Sequence, residues 1–338
     1  MAASQPISQL SHGVMAAAAR ACIVCLFVVA MLSLSSCERA RRVPRVEPVL
    51  HAWPRPYAGI PGLEIHVFNT GALSLPRGFL FQGGSWFERM DLPIPAFVIR
   101  HPDGSAVVFD AGFSERVNRD PNRYIGFFAS IVGRFAMADG QNLAAQMRSA
   151  GIDPGSVSHV VVSHLHFDHA GGIEEFPNAE VVVSYSERSN ARHAEGSLSF
   201  FNPSDFDSVT RWREIDFDTR SPYATFDAHV DLLGDDSIHL VPLPGHTVGS
   251  IGMIVRLQDG PVLLAGDAAP VEESWRFAAM PFVAEDDDLW WDTVWRMKRF
   301  LQLVPGSLVL GGHDDRALAA GERKALVVHP YAMQPAPR

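Results

Sequence analysis

The stretch Ser163-His164-Leu165-His166-Phe167-Asp168-His169 directly follows an apolar run. It packs three imidazoles and one carboxylate into six positions, which is typical of a metal site. Because alternate residues of an extended chain point the same way, His164 and His166 can hold one metal ion. Asp168 and His169 follow at the turn into Ala170-Gly171-Gly172, aimed at a neighbouring position. The stretch therefore predicts a metal site where a strand ends.

Three downstream segments contain residues of the same kind: Pro244-Gly245-His246-Thr247, Ala265-Gly266-Asp267 and Gly311-Gly312-His313-Asp314. His246 would complete three imidazoles on the first ion, and His313 would join Asp168 and His169 on the second. Asp267 has two oxygens and can bridge both ions. Singly, His246 fits a turn or core histidine and Asp267 a loop aspartate, but the coincidence of seven ligands favours two divalent ions. Nitrogen and oxygen ligands without sulfur suit zinc.

Residues 1–37 are typical of an export signal. The apolar run Ala21–Leu34 is shorter than the roughly 20 residues that span a bilayer and fits a secretory signal. It ends in Leu34-Ser35-Ser36-Cys37, which resembles a bacterial lipobox, where cleavage leaves a lipidated cysteine. A plain cleaved signal or a short membrane anchor are the alternatives, and Met15 is a second candidate start. We expect an exported lipoprotein of the periplasm or outer membrane.

Cysteine use agrees with export. Cys22 and Cys25 lie inside the signal, so the processed chain keeps only Cys37 and has neither a disulfide nor a thiolate metal ligand.

The composition of residues 38–59 predicts an extended tether, and the length of residues 60–338 predicts one large α/β catalytic domain. The formal net charge of −10 repels phosphate backbones, so no nucleic-acid partner is expected.

Short β-branched runs alternate with turn residues and helical stretches, which predicts an α/β sandwich. The predicted strands are Leu63–Asn69, Ala96–Arg100, Ala106–Asp110, His159–Ser163, Glu180–Ser184, Ile238–Pro242, Ser250–Arg256, Val262–Ala265 and Leu308–Gly311. The predicted helices are Asn142–Ala150, Ser186–His193 and Asp287–Val304. The last has an acidic N-terminus and an apolar stripe, so its residues Trp290, Trp291 and Trp295 fit core packing better than a ligand site.

These motifs make the chain resemble the metallo-β-lactamase-fold hydrolase superfamily over residues 60 to 330. The superfamily's signature is similar to His164-Leu165-His166-Phe167-Asp168-His169, and its fold is an αββα sandwich of two mixed sheets flanked by helices. Its iron flavoprotein branch usually has a glutamate where His166 stands, so the resemblance favours a zinc hydrolase. Phe109-Asp110-Ala111-Gly112 resembles the early Asp-x-Gly element, whose aspartate orients the metal loop. Alternatively, Asp110 ends a strand and caps a turn.

Within the superfamily the chain is most similar to the quorum-quenching N-acyl homoserine lactonases. These keep all seven ligands and have elements similar to Leu243-Pro244-Gly245-His246-Thr247 and Gly312-His313-Asp314. β-Lactamases lack the bridging aspartate, glyoxalase II-type thioesterases are usually cytosolic, and organophosphate hydrolases are close cousins. The lactonases commonly place a substrate-contacting tyrosine three residues after the bridging aspartate, where this chain has Pro270. Tyr223 and Tyr185 are candidate replacements by residue type alone.

The resemblance implies a dinuclear zinc hydrolase that opens a lactone or related ester. Asp267 would hold a metal-bridging hydroxide that attacks the carbonyl, and Asp168 would relay the proton. A metal-stabilised binding lipoprotein is the non-enzymatic alternative. Three apolar clusters could hold an acyl chain or pack in the core: Phe79, Phe81, Trp86 and Phe87; Tyr124, Ile125, Phe127 and Phe128; Phe200 and Phe201.

Overall fold

The computed structural model describes residues 42–44, 47, 49–119, 121–193, 200–319 and 323–330. The predicted signal 1–37 with Cys37 lies outside the described residues, as do the start of the predicted tether and residues 331–338 of the predicted domain. Among the described residues, no helix is long and apolar enough to cross a membrane.

The strands of the described chain form two mixed sheets. In chain order they are β1 Glu64–Pro76, β2 Arg89–Arg100, β3 Ala106–Phe109, β4 Arg134–Ala136, β5 Val157–Val161, β6 Glu180–Ser184, β7 Trp212–Ile215, β8 Val230–Asp231, β9 Ile238–Pro242, β10 Ile251–Val255, β11 Val262–Leu264, β12 Leu308–Leu310 and β13 Leu326–His329. The first sheet has the order β13-β1-β2-β3-β5-β6-β7, with β4 paired to β1, and the second has the order β12-β11-β10-β9-β8. Each sheet combines parallel and antiparallel pairs.

The three predicted helices are confirmed. Two of their six ends agree with the prediction, and the other four differ from it by one residue. The helices of the described chain span Arg77–Leu80, Arg116–Arg119, Pro121–Ile125, Phe127–Val132, Leu143–Ser149, Phe167–Ala170, Tyr185–His193, Glu272–Arg276, Asp287–Leu303 and Arg316–Ala319. Asn142 and Asp286 are N-caps: the Asn142 side chain accepts the Ala145 N–H, and the Asp286 side chain accepts two N–H groups of the following turn. These acceptors satisfy donors that a helix start leaves free.

Alternation along the strands produces three apolar layers, because successive side chains of a strand point to opposite faces. On β1, Ile65 and Val67 belong to the layer between the two sheets, whereas Phe68 belongs to an outer layer. That outer layer packs the helix Leu143–Ser149 against the first sheet. The opposite outer layer packs the helix Asp287–Leu303 against the second sheet. The predicted αββα sandwich is confirmed.

Trp290 anchors the long helix and ties it to the predicted site. Its side chain is fully buried, as the core-packing interpretation predicted, and its Nε1–H donates to the Ala268 carbonyl at 2.9 Å. Ala268 directly follows Asp267, so the burial of this indole also holds the loop that contains a predicted ligand. Trp291 and Trp295 are only partly buried.

The structure differs from the predicted strands at several ends. β1 continues past its predicted end to Pro76, and β2 begins before its predicted start, at Arg89. The two added halves pair with each other as a long antiparallel arm. β5 ends at Val161 rather than at Ser163, because the Ser163 N–H bonds to the Asp110 carboxylate at 2.7 Å. The Ser163 carbonyl accepts the Ile251 N–H at 2.9 Å, which joins the first sheet to the second. The short strands β4, β7, β8 and β13 were not predicted.

Residues 49–59, the later half of the predicted tether, lie against the domain. The Trp53 ring centre is 5.5 Å from that of Tyr223 and 5.5 Å from that of Phe300. The Tyr57 hydroxyl donates to the Leu257 carbonyl at 2.7 Å. This part of the chain therefore packs as an outer layer of the second sheet instead of extending away from it.

Candidate metal centre

The seven predicted ligands converge at one rim of the sandwich. His164 to His169 follow β5, while His246, Asp267 and His313 follow β9, β11 and β12. Asp110 follows β3, which is parallel to β5. In each sheet these strands run in the same direction, so the loops after them meet at the same edge. Loops held by a rigid scaffold are where separate segments form one site.

Three imidazoles form the first group. The Nε2 atom of His164 lies 3.0 Å from the Nδ1 atom of His166, and the Nε2 atom of His246 lies 3.2 Å from the same Nδ1 atom. Nitrogens bound tetrahedrally to one zinc ion lie about 3.4 Å apart, given zinc–nitrogen distances of about 2.1 Å. The three side chains are buried, and their spacing fits one shared ion.

The second group consists of Asp168, His169 and His313. The Nε2 atom of His313 lies 3.4 Å from an Asp168 oxygen, and the Nε2 atom of His169 lies 3.9 Å from the other. Asp267 lies between the groups. Its Oδ2 atom is 3.6 Å from the Nε2 atom of His246 and 3.4 Å from that of His313. The Asp267 carboxylate thus faces both groups, as a bridging ligand would.

Two atoms of the cluster test whether these residues fit metal ions. The Nε2 atom of His169 and the Oδ1 atom of Asp267 are buried and lie 3.4 Å apart, but neither makes a hydrogen bond of good geometry. Buried polar atoms without a partner are rare, since the lost hydration costs free energy. Divalent ions would satisfy both atoms, and the mixed imidazole and carboxylate donors suit zinc. The residues present fit a pair of divalent ions.

Contacts outside the cluster fix which ring nitrogen faces it. In four histidines the second ring nitrogen lies within hydrogen-bond distance of a fixed oxygen: Ser163 Oγ at 3.0 Å for His164, Asp110 Oδ2 at 2.9 Å for His169, Val283 O at 3.2 Å for His246, and Pro93 O at 3.0 Å for His313. Such partners commonly orient metal-binding histidines. The metal-facing nitrogens are therefore held in place before any ion binds.

Burial determines the protonation of the first group. It lowers the pKa of His166 to about 3 and lowers the pKa values of His164 and His246 as well. These side chains are accordingly neutral near pH 7. Neutral imidazole is the form that binds a metal ion.

The second group behaves differently because carboxylates surround it. Burial acts to lower the pKa of His313, but the Asp267 and Asp168 carboxylates outweigh it and raise the pKa to about 10. The pKa of His169 is raised in the same way, against burial, by Asp267, Asp110 and Asp168. In the metal-free protein both imidazoles are protonated at neutral pH, so metal binding must displace their protons.

Asp110 connects the first β-sheet to the cluster. Its Oδ1 atom accepts the Ser163 N–H at 2.7 Å, and its Oδ2 atom lies 2.9 Å from both the Ser163 hydroxyl and the His169 Nδ1 atom. Its backbone has a φ of 57°, a left-handed conformation that aspartate and asparagine adopt more readily than most residues. These contacts orient both the start of the histidine-rich stretch and one ring within it.

We expect Asp110→Asn to weaken metal binding by about 10- to 100-fold, the usual effect of losing a partner that orients a ligand. Asparagine tolerates the left-handed backbone, but its amide cannot accept hydrogen bonds from Ser163 and His169 with both atoms. Competition with a chromophoric chelator measures the affinity. Asp153→Asn, which alters an exposed N-cap, is the control. Equal metal affinity in the Asp110 variant and the wild type would show that Asp110 only terminates the strand.

An apolar pocket, partly open to solvent, leads to the cluster. Phe79 and Phe200 line it and pack edge to face against each other, with 6.0 Å between their ring centres. Its other apolar lining comes from the outer arm of β1, β4, two loops and the helices Arg77–Leu80, Phe127–Val132 and Phe167–Ala170: Leu73, Leu75, Leu80, Ala129, Val132, Phe135, Phe167, Pro270, Pro281 and Val283. Among the described lining residues, the polar side chains are His166, Asp168, His246, Asp267 and His313.

The side chains of the three predicted apolar clusters lie in different surroundings. Phe79 and Phe200 line the pocket, whereas Phe81 and Ile125 are buried in the core and Phe87 is 99% exposed. The remaining members of these clusters have other surroundings: Trp86 packs on Phe282, Phe201 packs beside His166, and the Tyr124 hydroxyl donates to Asp205 at 2.7 Å. The side chains of Phe127 and Phe128 lie outside the described part.

Neither candidate tyrosine replaces the one expected at Pro270. Tyr223 is buried beneath the second sheet, where its ring lies 3.9 Å from that of His239. Tyr185 is 60% exposed at the start of its helix. Pro270 itself lines the pocket. Neither tyrosine lines the pocket that the structure describes, so neither supplies a hydroxyl there in place of the one expected at Pro270.

Glu187 belongs to the surroundings of the cluster, but its contacts there were not predicted from the sequence. It is fully buried on the helix Tyr185–His193, and burial raises its pKa to about 7. Its oxygens accept the Leu165 N–H at 2.8 Å and the Thr247 hydroxyl at 2.7 Å. A glutamate in a predicted helix gives no sequence signal for such a contact, since both partners are distant along the chain.

Comparison with known proteins agrees with this geometry. Residues 89–316 match the metallo-beta-lactamase superfamily. The N-acyl homoserine lactonase AttM of Azorhizobium caulinodans is 34% identical over 75% of this chain and 94% of its own length. AttM of Rhizobium radiobacter is 32% identical over 68% of this chain and 84% of its own.

Two solved structures share the fold. An N-acyl homoserine lactone hydrolase with the product N-hexanoyl-L-homoserine at its catalytic metal centre matches with a TM-score of 0.65 and 19% identity, covering 76% of this chain and 95% of that one. AidC, a dizinc quorum-quenching lactonase, matches with a TM-score of 0.53 and 15% identity over 75% of this chain and 88% of its own.

Proposed function

The chain belongs to the metallo-beta-lactamase superfamily and is an enzyme of the hydrolase class, and from this premise we propose that it is a dinuclear zinc hydrolase of lactones. N-acyl homoserine lactones are the first candidate substrates, because the relatives at 34% and 32% identity are named for that activity. The observation that supports the proposal most directly is the Asp267 carboxylate, which faces two groups of buried ligands at the base of an apolar pocket.

The proposed ligands divide between two divalent ions. His164, His166 and His246 would hold one ion, Asp168, His169 and His313 the other, and Asp267 would contact both. Ions bound there supply a Lewis acid for the substrate carbonyl and lower the pKa of a water molecule. The outer contacts of the histidine rings keep the ligand atoms oriented, so little reorganisation is needed when substrate binds.

Asp168 is the proposed proton acceptor. Burial favours its neutral form, but the neighbouring His169 and His313 side chains lower its pKa, so it is a carboxylate at neutral pH. It lines the pocket, within reach of a bound substrate. A carboxylate in this position can take the proton from the attacking water and return it to the leaving alkoxide of the opened ring.

The apolar walls would bind the acyl chain. Burial of each methylene group contributes about 0.8 kcal/mol, and the pocket offers aromatic and aliphatic surface on several sides. We expect kcat/KM to rise roughly three- to fourfold per added methylene until the pocket is filled. A series of N-acyl homoserine lactones from butanoyl to dodecanoyl, assayed with a pH indicator, measures this dependence. A flat series would exclude the pocket as the acyl site.

A parallel assay tests the reaction class. The metal-loaded protein is offered a long-chain lactone, a cephalosporin, a glutathione thioester and an aryl phosphotriester under the same conditions. We expect the lactone to have the highest kcat/KM. Preference for another substrate would favour a β-lactamase, a glyoxalase II-like thioesterase or an organophosphate hydrolase instead. A loaded protein inert on all four would favour a metal-stabilised binding lipoprotein.

We also propose that the protein is exported and anchored through lipid on Cys37. The apolar run Ala21–Leu34 and the motif Leu34-Ser35-Ser36-Cys37 support this location. An exported enzyme of this kind would meet lactones before they enter the cell.

A further inference from the structure

Glu187 is a buried acid that the proposed reaction does not use. Its side chain is fully buried on the helix Tyr185–His193, and it is absent from the pocket lining. It therefore touches neither solvent nor a substrate in that pocket. Burying a carboxylate is costly unless hydrogen bonds compensate for the lost hydration, so its hydrogen-bond partners indicate what it does.

Those partners belong to the two segments that supply the first group of histidines. Oε1 accepts the N–H of Leu165, which lies between His164 and His166. Oε2 accepts the hydroxyl of Thr247, which directly follows His246. One side chain thereby joins a loop of the first sheet to a loop of the second.

The surrounding packing leaves Glu187 little freedom. A Cβ atom on Gly249 would lie 2.1 Å from the Glu187 nitrogen, so only glycine lets the second loop approach the helix this closely. The Ser184 hydroxyl donates to the Gly249 carbonyl at 2.6 Å and accepts the Glu187 N–H at 3.0 Å. The helix start and the His246 loop are thus fixed together, with the carboxylate between them.

We infer that Glu187 is a positioning residue that sets the affinity of the three-histidine site, by holding Leu165 and Thr247 at the separation that brings His164, His166 and His246 together. The inference rests on the proposed dinuclear site and extends it. Among the residues that the structure describes, no comparable hydrogen bond joins Glu187 to Asp168, His169 or His313. Loss of the Glu187 carboxylate therefore affects one ion more than the other.

Metal binding to Glu187→Ala tests this inference. Metal-free protein is titrated with zinc against a chromophoric chelator, and cobalt(II) absorption spectra report the geometry of each site. We expect one of the two ions to bind about 10- to 100-fold more weakly and the other to keep its affinity. Glu187→Gln should lose less than about threefold, because its carbonyl still accepts the Leu165 N–H and its amide can donate to the Thr247 hydroxyl, which can donate in turn to Ser250, 2.7 Å away.

Two further variants separate positioning from general stability. Asp205→Ala removes another buried carboxylate, which bonds to Tyr124 and Arg116, and should lower the melting temperature while leaving both metal affinities unchanged. Thr247→Val removes the hydroxyl half of the link but keeps the volume of the side chain. It should weaken the binding of the same ion as Glu187→Ala, and it still tests the inference if Glu187→Ala does not fold.

The outcomes distinguish this inference from the proposed function. Wild-type protein that binds fewer than two ions would contradict the dinuclear site itself. If the wild type binds two ions, equal affinities in the wild type, Glu187→Ala and Thr247→Val would overturn only the role of Glu187. Equal weakening of both ions in Glu187→Ala and in Asp205→Ala would likewise assign Glu187 to general stability.

Discussion

His166→Ala is expected to lower kcat/KM by at least about 10³-fold, or about 4 kcal/mol of transition-state stabilisation. The Nδ1 atom of His166 lies 3.0 Å and 3.2 Å from the metal-facing nitrogens of His164 and His246, so its loss opens the centre of the first group. Initial rates with a long-chain lactone, together with metal content by mass spectrometry, measure the effect.

The matched control is His159→Ala, which removes a half-buried histidine from β5, outside the cluster. We expect that variant to keep both metal ions and wild-type turnover. If His166→Ala kept wild-type activity with its remaining metal, the proposed metal mechanism would be wrong. Restored activity in excess zinc would instead show that His166 contributes affinity and little else.

Asp267→Asn is expected to lower kcat/KM by about 10²- to 10³-fold and to leave the protein with fewer than two bound ions. The substitution keeps the size of the side chain but removes the negative charge that the two proposed ions would share. It also replaces one oxygen by a donor nitrogen, which cannot bind a metal ion through a free lone pair. The loss corresponds to about 3–4 kcal/mol, comparable to removing a major electrostatic contact from an active site.

A readout independent of activity comes from His313. Asp267 is the carboxylate that contributes most to raising the pKa of His313 to about 10. In the metal-free Asp267→Asn protein that pKa should therefore fall, which NMR titration of the imidazole measures. Asp259→Asn, in an exposed turn, is the control for the isosteric change. An unchanged pKa with unchanged metal content would contradict the bridging position of Asp267.

The amino-acid sequence predicts those parts of the fold whose signal is local. The histidine-rich stretch contains four proposed ligands in one loop, and short β-branched runs such as Val181-Val182-Val183 in β6 are visible directly in the sequence. Predictions for the long helix also held, because its acidic start and apolar stripe depend on near neighbours. The sandwich follows from these patterns combined with the resemblance.

What escaped prediction depends on contacts between distant segments. Glu187 meets Leu165 and Thr247 only after two sheets have packed together, and nothing in its local sequence marks it. The two-residue strand β8 and the edge strand β13 are too short or too mixed for a periodic signal. The outer arm of β1 and β2 was not predicted as strand, since Gly71 in β1 and Pro93 and Pro95 in β2 interrupt the strand pattern. The surroundings of Tyr223 likewise became visible only in the fold.

The arrangement of ligands across the two sheets has a consequence for the lifetime of the folded protein. Each proposed ion would join a loop after β5, in the first sheet, to loops after β9, β11 or β12, in the second. Each ion would then act as a cross-link between the halves of the sandwich. Free metal at a hundredfold excess over its dissociation constant adds about 2.7 kcal/mol to the stability of the folded state. The supply of free metal would then control how long the folded protein survives proteolysis, as well as how fast it turns over substrate.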